Sequence, residues 1–346
     1  MRPIASSYVF VILLAFAVPA GPALAAGVAD EYRVAQKSKV EKPRQRRVLR
    51  VGPGRALRTP SAAARVARNG DHVRIDPGTY RDCAVWRASN LILEGLGKPR
   101  PHMTSVICDD QAIWLIRGDD VRVINIEFSR AHSSYFNGAG IKMVGSNLLV
   151  RKSVFHDNEN GILTAGRPRS HIIVINSRFL RNGSCVMACG HGIYAGTVYR
   201  LVVRNSIFFG QKQGHHIKSR ARLTQILSNR ISDGREGTAS MSINLPIGGT
   251  ADISYNHIEQ GPKAENYRVM ISIGEEAIAR KGRPAPFRQP SRGLVFKNNV
   301  FVNNHPKGAI FIRNLTKTPL TMRGNRFIGK GVRVSGPVVG RAGATK

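Results

Sequence analysis

Aligning the chain on its apolar and small polar positions exposes a repeat. One column is aromatic or aliphatic and runs through Phe155, Phe179, Phe208, Ile231, Ile258, Phe301 and Phe327, in steps of 24, 29, 23, 27, 43 and 26 residues. Phe128 extends it one turn earlier. Two residues before each member stands a small polar residue: Ser153, Ser177, Ser206, Asn229, Asn256, Asn299 and Asn325. A β-branched run lies upstream of each, as in His171-Ile-Ile-Val-Ile and Arg200-Leu-Val-Val. Half a turn later a second apolar column passes through Ile141, Ile162, Ile193, Ile217, Ile243, Ile271 and Ile310. Short alternating runs closed by Asn or Gly predict strands, and nothing between them has helical length or period. Strand columns recurring at a fixed interval of about 21–31 residues predict coil stacked on coil. The fold class read from this pattern is all-β, a single-stranded parallel β-helix. A β-propeller would need four strands in about 40 residues per blade, which these intervals do not allow. The Asn/Ser column then has a physical role, because an amide turned inward at a coil corner can bond its counterparts above and below. The one long step contains Arg280–Arg292 (RKGRPAPFRQPSR), a Pro- and Arg-rich stretch that predicts a surface loop.

The flanks are different. Residues 1–25 carry one early cation, Arg2, the apolar run Tyr8–Val18, the breaker Pro19 and a small-residue site at Ala23-Leu24-Ala25. This reads as a secretory signal peptide, its apolar run being too short to span a bilayer. Residues 26–47 form a basic leader without periodicity, the solenoid is read over 48–331, and 332–346 is a tail. Within the start of the solenoid, Thr59–Ala67 (TPSAAARVA) predicts a short helix with Thr59 as its cap and Pro60 in its first turn. Export places the four cysteines in an oxidising space, where the most local pairing is Cys83 with Cys108 and Cys185 with Cys189.

Charge changes the picture more than composition does. Lys and Arg number 53 against 21 Asp and Glu, a formal net charge of +32. Such a field attracts polyanions: nucleic acid, an anionic membrane surface or an acidic polysaccharide. Export to the periplasm or beyond the cell removes nucleic acid as the expected partner, and no later stretch is apolar enough for a membrane span. An acidic polysaccharide remains.

The segment Gly70-Asp71-His-Val-Arg-Ile-Asp-Pro77-Gly78-Thr-Tyr80 resembles the N-terminal capping segment GDxxxxxPGxY of the right-handed parallel β-helix superfamily, which includes pectate lyases. The resemblance covers roughly Val48 to Gly331 and implies a right-handed coil with an N-terminal cap. It implies a carbohydrate-active scaffold without naming the reaction, since such scaffolds host lyases, hydrolases, epimerases, esterases and inert adhesins.

The stretch Gly190–Arg222 holds two copies of one pattern: His191-Gly192-Ile193-Tyr194 and His215-His216-Ile217-Lys218. If both are strands, Ile193 and Ile217 point inward and Tyr194 stacks above Lys218 on the outside. Alternation then turns Gly192, His216, Arg220, Ser242 and Asn244 outward as well, with His191 and His215 inward or at a turn. Loops add Asp233, Arg235 and Glu236, then Glu275 and Glu276. Stacked strands lie about 4.8 Å apart, close to the repeat of an extended sugar chain. The GHG and HIK elements resemble the GHG and RIK of polygalacturonase-type hydrolases, but the acidic motifs of those enzymes have no counterpart at the expected places, and hydrolysis needs two carboxylates. β-Elimination or C5 epimerisation of a uronate asks instead for a cation, a base and an acid. Lys218, Arg220, His216, Tyr194 and His191 are the candidate catalytic residues, with Lys218 as base and Arg220 on the substrate carboxylate. His215, Asn244, Arg235, Glu275 and Glu276 are the candidate substrate contacts. No residue is assigned to a metal and no cofactor is expected, although the resemblance implies Ca2+ as an alternative source of the cation. A non-catalytic binder of an anionic envelope or matrix glycan would present the same groove and charge.

Overall fold

The computed structural model describes residues 46–277 and 289–339. The stretch read as a signal peptide, nearly all of the stretch read as a basic leader, the Arg280–Arg288 part of the insertion and the last residues of the tail lie outside them. The Phe column forms a ladder through the interior. Phe128, Phe155, Phe179 and Phe208 are register partners on successive parallel strands. Their rings stack at centroid distances of 5.1, 4.9 and 4.6 Å. Ile231, Ile258, Phe301 and Phe327 continue the same register and are buried.

Each coil contributes to three sheets. The Phe ladder belongs to a 10-stranded sheet, the Ile column to a second 10-stranded sheet, and the β-branched runs to a 12-stranded one. The sequence pattern shows two strand columns; the β-branched runs upstream of the Phe column pair with one another as a third sheet. The polar column is buried at the corner beside the ladder. Backbone N–H groups of Ser206, Asn229, Asn256 and Asn299 each donate to the side-chain oxygen of the next member at 2.9–3.0 Å. Asn229, Asn256, Asn299 and Asn325 amides donate to Val203, Ile226, Ile253 and Phe296 carbonyls in the previous coil. A buried amide bonded on every side is stable, and an unbonded one would not be.

The helix forms at Pro60–Val66, where the Thr59 side chain accepts from Ala62 N. Tyr80 of the GDxxxxxPGxY segment donates its hydroxyl to the Asp76 carbonyl at 2.8 Å, closing the turn around Pro77 and Gly78. Cys83 is bonded to Cys108 and Cys185 to Cys189. Strands continue past Gly331, with Gly331–Ser335 and Val338–Val339 completing the last coil. One member of the Ile column is corrected: Ile271 pairs with Ile312, which is fully buried, whereas Ile310 pairs with Val269. Among the described residues no helix is long and apolar enough to cross a membrane.

Candidate functional site

A break in the alternation decides which side chains reach the outer face of the Ile sheet. The ladder passes from Ala139–Asn160 to Ile141–Ile162 and from His215–Met241 to Ile217–Ile243, omitting the residue between. That omitted column turns inward along with the isoleucines. A Cβ on Gly161 would lie 2.8 Å from the Phe179 ring and one on Gly192 3.3 Å from that of Phe208, so glycine fits there and larger residues need another outlet. His216 finds one, packing edge-on to Phe208 and bonding Asp233 at 2.8 Å with both side chains buried. The expectation that His216, Gly192 and Ser242 point outward is therefore corrected: two consecutive inward residues break the alternation. By the same shift His191 and His215 lie on the outer side of the sheet. Their rings stack at 4.9 Å, and His191 meets Tyr194 edge to face.

Beyond that break alternation holds. Lys142, Leu163, Tyr194, Lys218, Asn244, Ser272 and Arg313 form one continuous outward column. Lys218 and Arg220 both lie over the Tyr194 ring, at 5.3 and 5.2 Å from its centroid. Glu275 and Glu276 close over this face. Arg220 grips Glu276 in a fork, with Nη2 2.6 Å from Oε1 and Nε 3.1 Å from Oε2. Lys218 Nζ is 3.6 Å from the same carboxylate. Burial pushes Glu276 up, but the hydrogen bond and charge of Arg220 and the charge of Lys218 outweigh it and hold it below the usual carboxylate range. Glu275 accepts from Asn244 at 2.5 Å and from Arg313 at 3.1 Å.

These contacts change two roles. Arg220 is engaged by Glu276 instead of standing open for a substrate carboxylate. Lys218 has the Glu276 carboxylate beside it, so it does not stand among cations alone as the base role required. Arg235 is not on this face; it borders a cleft with Phe209, Arg230, His257 and Glu259 on the Phe sheet, because its loop bulges from that side of the coil. Structure thus brings together Tyr194, Lys218, Arg220, His191, His215, Asn244, Glu275 and Glu276, and leaves out His216 and Arg235. Lys142 and Arg313 join the column unforeseen. Lys142 is half-buried without an ion-pair partner among the described residues, and burial lowers its pKa.

Beneath the column the two imidazoles are neutral. Burial, then the charges of His215, Lys218 and Arg220, drives His191 well below 6.5. Burial, then the charges of Lys218 and His216, pushes His215 down to about 3. A histidine depressed in the folded state binds fewer protons than in the unfolded chain, where it titrates near 6.5. The stability tied to His215 is therefore intact above about pH 6.5 and lost as pH falls toward about 3. Thermal unfolding followed from pH 7 to pH 4 should show a steeper fall for the wild type than for His215→Gln. Parallel curves would mean that the imidazole is free to take up its proton in place.

Residues 104–242 and 167–339 match the family described as right-handed β-helix region. No curated protein sequence matches the chain. Among solved structures, the pectate lyase Pel9A is 15% identical, with a TM-score of 0.56, over 86% of this chain and 79% of that one. An alginate lyase from Paenibacillus sp. str. FPU-7 is 14% identical, with a TM-score of 0.60, over 84% of this chain and 99% of that one. At these identities the likeness is one of fold. With the family match spanning most of the chain, the stacked Phe and Asn columns and the three parallel sheets, the protein belongs to the right-handed β-helix family.

Proposed function

We propose that the chain binds an acidic, uronate-containing polysaccharide along the outward column and acts on it as a lyase or C5-epimerase. The observation that carries this reading is Glu276. Its carboxylate sits on the outer face in the fork of Arg220 and beside Lys218, which is how a uronate carboxylate would be held. In the free protein Glu276 fills the seat that substrate takes. Lys218 and Arg220 then neutralise the substrate carboxylate and the charge that builds as the adjacent proton leaves. Tyr194, flanked by both cations, carries that proton to the leaving oxygen in elimination; in epimerisation it keeps the proton and water on the opposite face supplies the one that returns to C5. Ca2+ would be a further source of positive charge, but Glu275 and Glu276 are already paired with cations, so it is given no step here. Hydrolysis is the poorer reading, because a Glu276 held ionised cannot serve as general acid. The two solved neighbours, a pectate lyase and an alginate lyase, agree with this class of reaction. Two disulfides and the apolar leader agree with export.

The test is incubation with a panel of polyuronates, following ultraviolet absorbance for unsaturated ends and NMR for inverted C5 centres. One of the two signals is expected, together with binding that weakens with salt as the cations are screened. Glu276→Gln should bind the active polymer about tenfold more tightly, the equivalent of ~1.4 kcal/mol, because it removes the competing charge. Unchanged or weaker binding by that variant would end the seat assignment. Salt-dependent binding with no turnover on any polymer would support the second reading, a non-catalytic glycan binder. That reading is favoured by the carboxylate pairing of Lys218, Arg220 and Arg313.

A further inference from the structure

The Phe sheet carries on its outer face a cluster that the polysaccharide reading does not use. His102, Glu127 and His156 come from three successive parallel strands, His102–Thr104, Glu127–Ser129 and Val154–His156. Met103, Phe128 and Phe155 point into the core, so alternation turns their neighbours outward. Register places His102 beside Glu127 and His156 one strand on, beside Ser129. One donor atom from each of the three lies within 4.8 Å of the others. His156 Nε2 is 3.1 Å and His102 Nε2 3.8 Å from the same oxygen, Glu127 Oε1. Tetrahedral ligands at zinc bond lengths of about 2.0–2.1 Å stand roughly 3.3 Å apart, so donor atoms that lie within 4.8 Å of one another close by up to about 1.5 Å through side-chain rotation.

The surroundings are those of a ligand set. His156 Nδ1 is bonded to Asp157 at 2.8 Å, which fixes the ring and aims Nε2 at Glu127. Asp157 is itself held by Arg181 through Nε at 3.1 Å and Nη2 at 2.7 Å. A carboxylate behind a histidine, anchored in turn, is the support that metal-binding histidines have. With Nδ1 on Asp157 and Nε2 on Glu127, the ring bridges two carboxylates, and a metal ion would take the place of the Nε2 proton. Ser129 Oγ, 2.7 Å from His102 Nε2, stands at the edge of the same space.

We infer that His102, Glu127 and His156 form a binding site for a divalent first-row transition ion of the zinc class, which clamps three coils of the solenoid. Two imidazoles and one carboxylate are a donor set that zinc takes, with water or the Ser129 hydroxyl completing the tetrahedron. Binding displaces the proton shared between His156 and Glu127, so uptake strengthens as pH rises through the histidine range.

The experiment is zinc titration of chelator-treated, tag-free protein at about pH 8, read by calorimetry and by bound-metal analysis after dialysis. One zinc per chain is expected, with a thermal midpoint that rises on addition. His156→Ala and Glu127→Gln should each lose at least tenfold in affinity and lose the zinc-dependent rise, while circular dichroism shows both to be folded. Asp157→Asn, which touches no metal, should weaken binding by about 10–100-fold. No uptake by the wild type, or uptake left unchanged by Glu127→Gln, would overturn the site. Polysaccharide binding at the Ile sheet is measured separately and does not bear on either result.

Discussion

Lys218→Ala is expected to lower turnover on the active polyuronate by about 10²–10³-fold, the usual cost of removing a group aimed at charge that develops in the transition state. The side chain follows Ile217, which the ladder holds inward, and so projects onto the outer face above Tyr194 and beside Glu276. Its loss leaves a substrate carboxylate with Arg220 alone. Stability should barely move, because a partly exposed pair at 3.6 Å contributes at most about 1 kcal/mol. Tyr194→Phe is the companion change: it keeps the ring under both cations and removes only the hydroxyl. It should bind the polymer as before and lose about 10²–10⁴-fold in rate, as loss of a proton-transfer group does. Full turnover in Lys218→Ala would move the chemistry elsewhere on the column, with Lys142 the next cation along it.

Asn256→Ala should cost roughly 4 kcal/mol of folding stability, read as a shift in denaturant midpoint, since each buried group left unbonded costs about 1–3 kcal/mol. The Asn256 oxygen accepts from Asn229 N and Nδ2 at 2.9 and 3.0 Å. Its amide donates to Ile226 O, Ser254 O and Asn299 Oδ1 at 2.8, 3.0 and 3.0 Å. Alanine fills none of these positions and strands donors and acceptors of two neighbouring coils at once. The exposed neighbour His257 is the control, and His257→Ala should stay within about 0.5 kcal/mol of the wild type. A cost below about 1 kcal/mol for Asn256→Ala would mean that water replaces the amide, and that the polar column is filler and not a structural bond chain.

How far the groove was legible is clearest at Lys142 and Arg313. Lys142 follows Ile141 just as Lys218 follows Ile217, so the Ile column in the sequence points to it. Arg313 was hidden by a two-residue offset: with Ile310 taken as the inward residue the next position is Phe311, and only pairing of Ile271 with Ile312 brings Arg313 outward. Nothing comparable announces the two consecutive inward residues. Gly140, Gly161 and Gly192 mark a column with no room for a side chain, yet His216 and Ser242 occupy it later in the chain, and composition does not say that these two have an inward outlet.

Repeat spacing by itself determined the coil, the Phe ladder and the Asn corner. Each depends on nearest neighbours at a fixed interval, and in a solenoid nearest neighbours are one period apart in sequence. The functional face obeys another rule. Glu276 reaches Arg220 across 56 residues, from a loop two coils on. Such contacts depend on loop paths, local bulges and the direction of individual side chains, which period and composition do not encode. Only the stacked coils decided that the cations of the outward column meet carboxylates from a later loop.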